Sequence, residues 1–97
     1  MSKREYKWVN VSLNDEERWV CQLPVERQRL AIRRKAGESI YVGAICAHDG
    51  TTIPAAIKKR GFKEGNREWV LRRLQEELVD MWEEVQAMSA PEQINNL

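Results

Sequence analysis

The chain contains no apolar run approaching the roughly 20 residues that a membrane-spanning helix needs. Its start, Met1-Ser2-Lys3-Arg4-Glu5, leads into a polar segment and not into a secretory apolar stretch. Together these absences set the expectation of a soluble chain in the cytoplasm. Cysteine is scarce. Cys21 and Cys46 are too few for a disulfide framework, and both lie among apolar neighbours, where a reduced thiol serves as a small hydrophobe. His48 is the one histidine, so the soft-ligand inventory ends at Cys21, Cys46 and His48, and no metal site is expected from it. Gly37, Gly43, Gly50, Gly61 and Gly65 are scattered singly, which leaves no loop able to cradle a phosphate.

Catalytic groupings are equally sparse. A Cys46/His48 pair has Asp49 as the nearest group that could orient it, and three residues so close along one turn rarely converge on a reacting atom. The acids Glu76, Glu77, Asp80, Glu83 and Glu84 fall on the outer side of a helical pattern, where solvation is the ordinary role. The expectation is a protein without a catalytic site, cofactor or metal.

Charge is present in quantity but nearly balanced, at a net of +1 over 97 residues. Its distribution is uneven: all 16 Lys and Arg precede residue 75, whereas Glu76 to Glu92 supply acids alone. A basic body with an acidic end points to a polyanionic partner, or to an internal mask over basic surface. The length suits one domain over residues 1–97: a basic body over 1–65, a long helix of dimerisation type over 66–89 and a flexible tail over 90–97.

Local patterns predict an α+β, mainly helical fold. Glu5 to Leu13, rich in aromatic and β-branched residues, reads as a short N-terminal strand. Asp15, Glu16 and Glu17 suit the first turn of a helix running to about Gln22, and Pro24 opens a second that extends through Leu30 and Ile32 to Gly37. Ser39 to Ala47 fits either strand or helix. Thr51 or Thr52 caps a further short helix, Pro54 to Arg60, which ends in a basic cluster.

The order from Pro24 to Gly61 resembles, loosely, a helix-turn-helix unit. Its glycine and following apolar positions are one residue out of the usual register. That resemblance implies nucleic-acid contacts from Thr51, Thr52, Lys58, Lys59, Arg60, Lys63 and Arg67. The outer face of the helix opened by Pro24, with Arg27, Arg29, Arg33, Arg34 and Lys35, is a further candidate basic surface in its own right. Val9 to Glu17 also resembles the strand-to-helix junction of ribbon-helix-helix repressors, in which Lys7, Asn10 and Ser12 would face bases.

The strongest pattern lies in the last third. Leu71, Leu74, Leu78, Met81, Val85 and Met88 recur at spacings of three and four, a heptad-type seam, with Trp82 one step off it. The seam predicts a coiled-coil-like homodimer interface, and Trp82 a partner contact. Two functions follow: a small homodimeric DNA-binding regulatory protein, or a protein–protein interaction module (adaptor, antitoxin-like or inhibitor) acting through its acidic C-terminal helix.

Overall fold

A computed structural model describes residues 6–24, 28–47 and 52–95. Five strands, β1 (Trp8–Asn10), β2 (Glu17–Gln22), β3 (Gln28–Arg34), β4 (Ile40–Ala47) and β5 (Thr52–Gly61), pair with their sequence neighbours into one antiparallel sheet of order β1-β2-β3-β4-β5. The one α-helix among the described residues, α1 (Arg67–Asn95), follows a 3-10 turn at Glu64–Asn66 and packs across one face.

This is not the mainly helical chain that local patterns predict. The segments read as helices over 15–22, 24–36 and 54–60 contribute β2, β3 and β5, and the ambiguous 39–47 is β4. Helix-turn-helix and ribbon-helix-helix arrangements are both excluded, since the elements they require are paired strands. The N-terminal strand and the long C-terminal helix stand as expected, although α1 continues through Pro91 to Asn95 and does not end near Met88. Arg27, Thr51, His48, Asp49 and Gly50 lie outside the described residues.

Alternation explains the sheet. In β3, Leu30 and Ile32 are fully buried, while Arg29, Ala31 and Arg33 point the other way, a period of two that a half-covered strand requires. Cys21 of β2 and Tyr41 and Ile45 of β4 join them in the same layer. Asn14 turns the β1–β2 hairpin with φ +59°, a left-handed conformation that asparagine tolerates, and Gly37 at φ +78° serves the β3–β4 turn.

The helix supplies the other half of the core through Val70, Leu74, Leu78 and Trp82, with Leu71, Val79 and Met81 packed at its margins. The seam read as a dimer interface therefore closes on its own sheet. A two-stranded coiled coil through these residues is excluded, because Leu74 and Leu78 have no accessible surface left. Val85 remains 38% exposed, and Met88 lies on the helix beyond the described side chains.

Three contacts fix the helix direction. Arg67 reaches the Tyr41 hydroxyl, Leu78 lies over Gly43, and Trp82 Nε1 donates to Gln28 Oε1 at 3.2 Å, Gln28 being paired with Ala47. The helix thus runs alongside β4 from its start to its end. Gly43 is required by closeness: a Cβ there would sit 2.6 Å from Leu78 Cδ1.

Gly43→Val is expected to cost about 1–3 kcal/mol through overpacking. Leu78→Ala should cost about 2–5 kcal/mol through the cavity it leaves. Urea denaturation of both single variants and the double variant should show the double to be less destabilised than the sum, because each change relieves the other. Additive losses would mean that the two sites do not share this contact.

Candidate functional site

The face of the sheet turned away from α1 is covered by no element among the described residues. Its composition follows from strand register. Val9, Val20, Ala31, Ala44 and Ile57 pair in succession across all five strands and form one apolar rib. At about 4.8 Å between neighbouring strands the rib is about 19 Å long. On one side of it lies the paired row Arg18, Arg33, Val42 and Lys59; on the other lies the row Gln22, Arg29, Cys46 and Thr52. Neighbouring rows are two residues apart along each strand, so the cations flanking the rib are separated by about 13 Å.

Val9, Val20, Ala31 and Ala44 of this rib line a trough of about 930 Å³, to which Lys35 and Glu38 add charge. Five cations, Arg18, Arg29, Arg33, Lys35 and Lys59, line it. The opposing acids are Glu38 and, just outside, Glu16, which pairs with Arg18 at 2.8 Å and with Arg33 at 2.9 Å. The Arg18 hydrogen bond holds the Glu16 carboxyl below its usual range, with Arg33 and Lys35 adding to the effect. Both arginines stay about half exposed, so each can take a second anion.

The helix-facing side carries a different charged cluster. Glu17 sits 12% exposed at the junction of β2, β3, β4 and α1. It accepts from Trp19 Nε1 at 2.7 Å, Arg34 Nε at 3.1 Å, the Tyr41 hydroxyl at 3.0 Å and Arg67 Nη2 at 2.5 Å. Burial works against the charge, but these hydrogen bonds outweigh it and hold the carboxyl at about 2. Tyr41 is shifted the other way: burial pushes its hydroxyl up, while it accepts from Arg67 Nε at 3.1 Å. Arg67 also lies over the Phe62 ring, 5.6 Å from its centroid.

The residues expected to contact nucleic acid are divided by this fold. Arg33 and Lys59 reach the trough. Arg34 and Arg67 are bound to Glu17, and Arg60 is clamped by Glu77, all on the helix side. Lys58 shares that side, Lys63 is exposed in the loop before the 3-10 turn, and Thr52 opens β5. Arg18 joins Arg33 and Lys59 in the trough, as do Arg29 and Lys35, both expected on the basic face of a helix. The signal that places Arg29 with Arg33 on one face of a strand is the polar–apolar alternation of Arg29-Leu30-Ala31-Ile32-Arg33. Trp82, expected at a partner surface, is 3% exposed in the core, whereas Trp69 is 65% exposed on the outside of α1.

No cluster of three or more metal-ligating side chains occurs among the described residues, and none of the described helices is long and apolar enough to cross a membrane. No known protein family, curated protein or solved structure matches this chain.

The Glu17 cluster sets a pH dependence. Its carboxyl titrates near 4.5 when unfolded and at about 2 when folded, so the charged form stabilises the fold fully above pH 4.5. That contribution is lost as the pH falls from 4.5 towards 2. Glu17→Gln should lower stability at neutral pH by about 1–3 kcal/mol and flatten the acid limb of a denaturation midpoint plotted against pH. An acid limb unchanged by the substitution would remove Glu17 from this role.

Proposed function

We propose that this protein binds nucleic acid on the open face of its sheet. The observation that supports the reading is the gathering of five cations on one concave surface, with the acid-rich helix on the opposite face. An acidic end acting as a mask would need to lie over the cations. Instead α1 is packed on the far side, where Glu77 meets Arg60 and leaves the trough clear.

The resulting field is directional. Polyanions are drawn to the trough side and repelled from the outer surface of α1 around Glu76, Asp80 and Glu83. Phosphate contacts of this kind release counterions, so affinity should fall linearly with the logarithm of salt concentration. Glu16 acts as a resident counter-ion that an incoming phosphate must displace from Arg18 and Arg33.

A second reading, a protein-interaction module, is supported by Trp69. Large exposed aromatics are the ordinary anchors of protein interfaces, and this one stands at the beginning of α1 beside Arg72 and Arg73.

Fluorescence anisotropy with labelled nucleic acids at low salt tests the first reading. Arg29→Glu and Arg33→Glu should each weaken binding by about tenfold, equivalent to about 1.4 kcal/mol. Each should also reduce the salt slope by about one. Glu16→Gln should tighten binding, by freeing two arginines from their carboxylate. Absence of binding to any nucleic acid at low salt, or indifference to these three substitutions, would overturn the reading.

A further inference from the structure

We infer that the occupant of the trough is single-stranded DNA, laid along the apolar rib with its phosphates on the flanking cations; this deepens, and rests on, the nucleic-acid reading above. The inference comes from what lies in the middle of the surface. A face made only to hold phosphates would be basic throughout. Here Val20, Ala31 and Ala44 occupy the centre, and the cations stand to either side of them.

A duplex does not suit that pattern. It presents phosphates on its outside and recesses its base edges in grooves, which proteins read with a projecting helix or a two-stranded ribbon. Among the described residues nothing projects from this face. A duplex resting on it would press charged backbone against the aliphatic rib and remove water from phosphates without giving them partners.

A single strand separates its chemistry as the trough does. Its bases are free to turn apolar faces to Val20, Ala31 and Ala44, while its phosphates reach Arg18, Arg33 and Lys59 on one side or Arg29 on the other. Guanidinium planes at the rib margins also give unstacked bases a surface to lie on. The rib is aliphatic, and Trp8 and Trp19 pack on the helix side. The base contacts are therefore weaker than on aromatic platforms and tolerant of sequence.

The sugar follows from hydrogen bonding. Gln22 is the neutral amide lining the trough; it donates one Nε2 hydrogen to the Gln28 carbonyl at 3.0 Å, and its remaining donor and acceptor lie in the Arg29 row at the margin, off the rib. A 2′-hydroxyl set over the rib would lie on methyl groups without a partner, a cost that deoxyribose avoids. Thymine adds a methyl group suited to an alanine-lined floor.

The experiment is an anisotropy titration of three labelled probes of equal length, about 20 nucleotides: oligothymidylate, oligouridylate and a mixed-sequence duplex. Wild type, Arg29→Glu, Ala31→Lys and Ile57→Lys are compared, each checked for folding by circular dichroism. Ile57 is 45% exposed at the end of the rib, so its substitution tests the same surface if Ala31→Lys fails to fold.

Oligothymidylate should bind at least about tenfold more tightly than the duplex and about threefold more tightly than oligouridylate. Both lysine substitutions should weaken it by about threefold or more, although each adds a positive charge. Tighter oligothymidylate binding by the lysine variants would place phosphates on the rib and overturn the inference, as would equal or tighter binding of the duplex or of oligouridylate. Those results leave the broader reading intact provided that Arg29→Glu still weakens binding. Loss of all binding by wild type, or indifference to Arg29→Glu, would instead remove the broader reading itself.

Discussion

One helix can cover one face of a sheet, and the rest of this molecule follows from that limit. Val70, Leu74, Leu78 and Trp82 of α1 meet Cys21, Leu30, Ile32, Tyr41 and Ile45, and the core is complete when they do. The contact is close enough that Gly43 must lack a side chain beneath Leu78. With the only described helix used on one side, every second residue of five strands is left facing outward. The chemical character of that outward set is the character of the face opposite the core.

The two faces solve opposite electrostatic problems. Towards α1, charge is partly buried and therefore has to be matched: Glu17 meets Arg34 and Arg67, and Glu77 meets Arg60. Among the described residues no buried side-chain polar atom lacks a hydrogen bond, as a low-dielectric setting demands. On the open face the cations outnumber the acids and remain in water, where an unmatched charge costs little and is available to a ligand. The near-balanced overall charge of +1 thus conceals a basic open face and an acid-rich helix.

The long helix was legible in the sequence because Leu71, Leu74, Leu78 and Met81 repeat over about three turns, a spacing that no strand produces. What the spacing could not specify was the surface it would meet, since a stripe that fits a second helix fits a sheet equally well. The strands were obscured for a related reason. Arg29 and Arg33 stand four residues apart, which places them on one side of a helix and also on one side of a strand; the deciding pair is Leu30 and Ile32, two apart. Ala55 to Arg60 is composed of good helix formers, and there pairing with β4 overrides local preference. Pro54, suited to a helical first turn, is also tolerated in an edge strand or at a bulge, and it falls where the β4–β5 register shifts. The basic residues of the candidate site were therefore visible as residues but not as a surface, because grouping them requires knowing the period.

Among the described residues β5 has a neighbour on one side only, so its other margin offers backbone groups to any extended chain that approaches. Along that edge Lys58 and Lys59 would set like charges against each other if two copies met there. At this edge, one of the two that the sheet has, charge opposes further growth. A protein with an uncovered sheet is at risk of fibrous self-assembly, and the same ten residues that complete this fold place charge against it at that one edge.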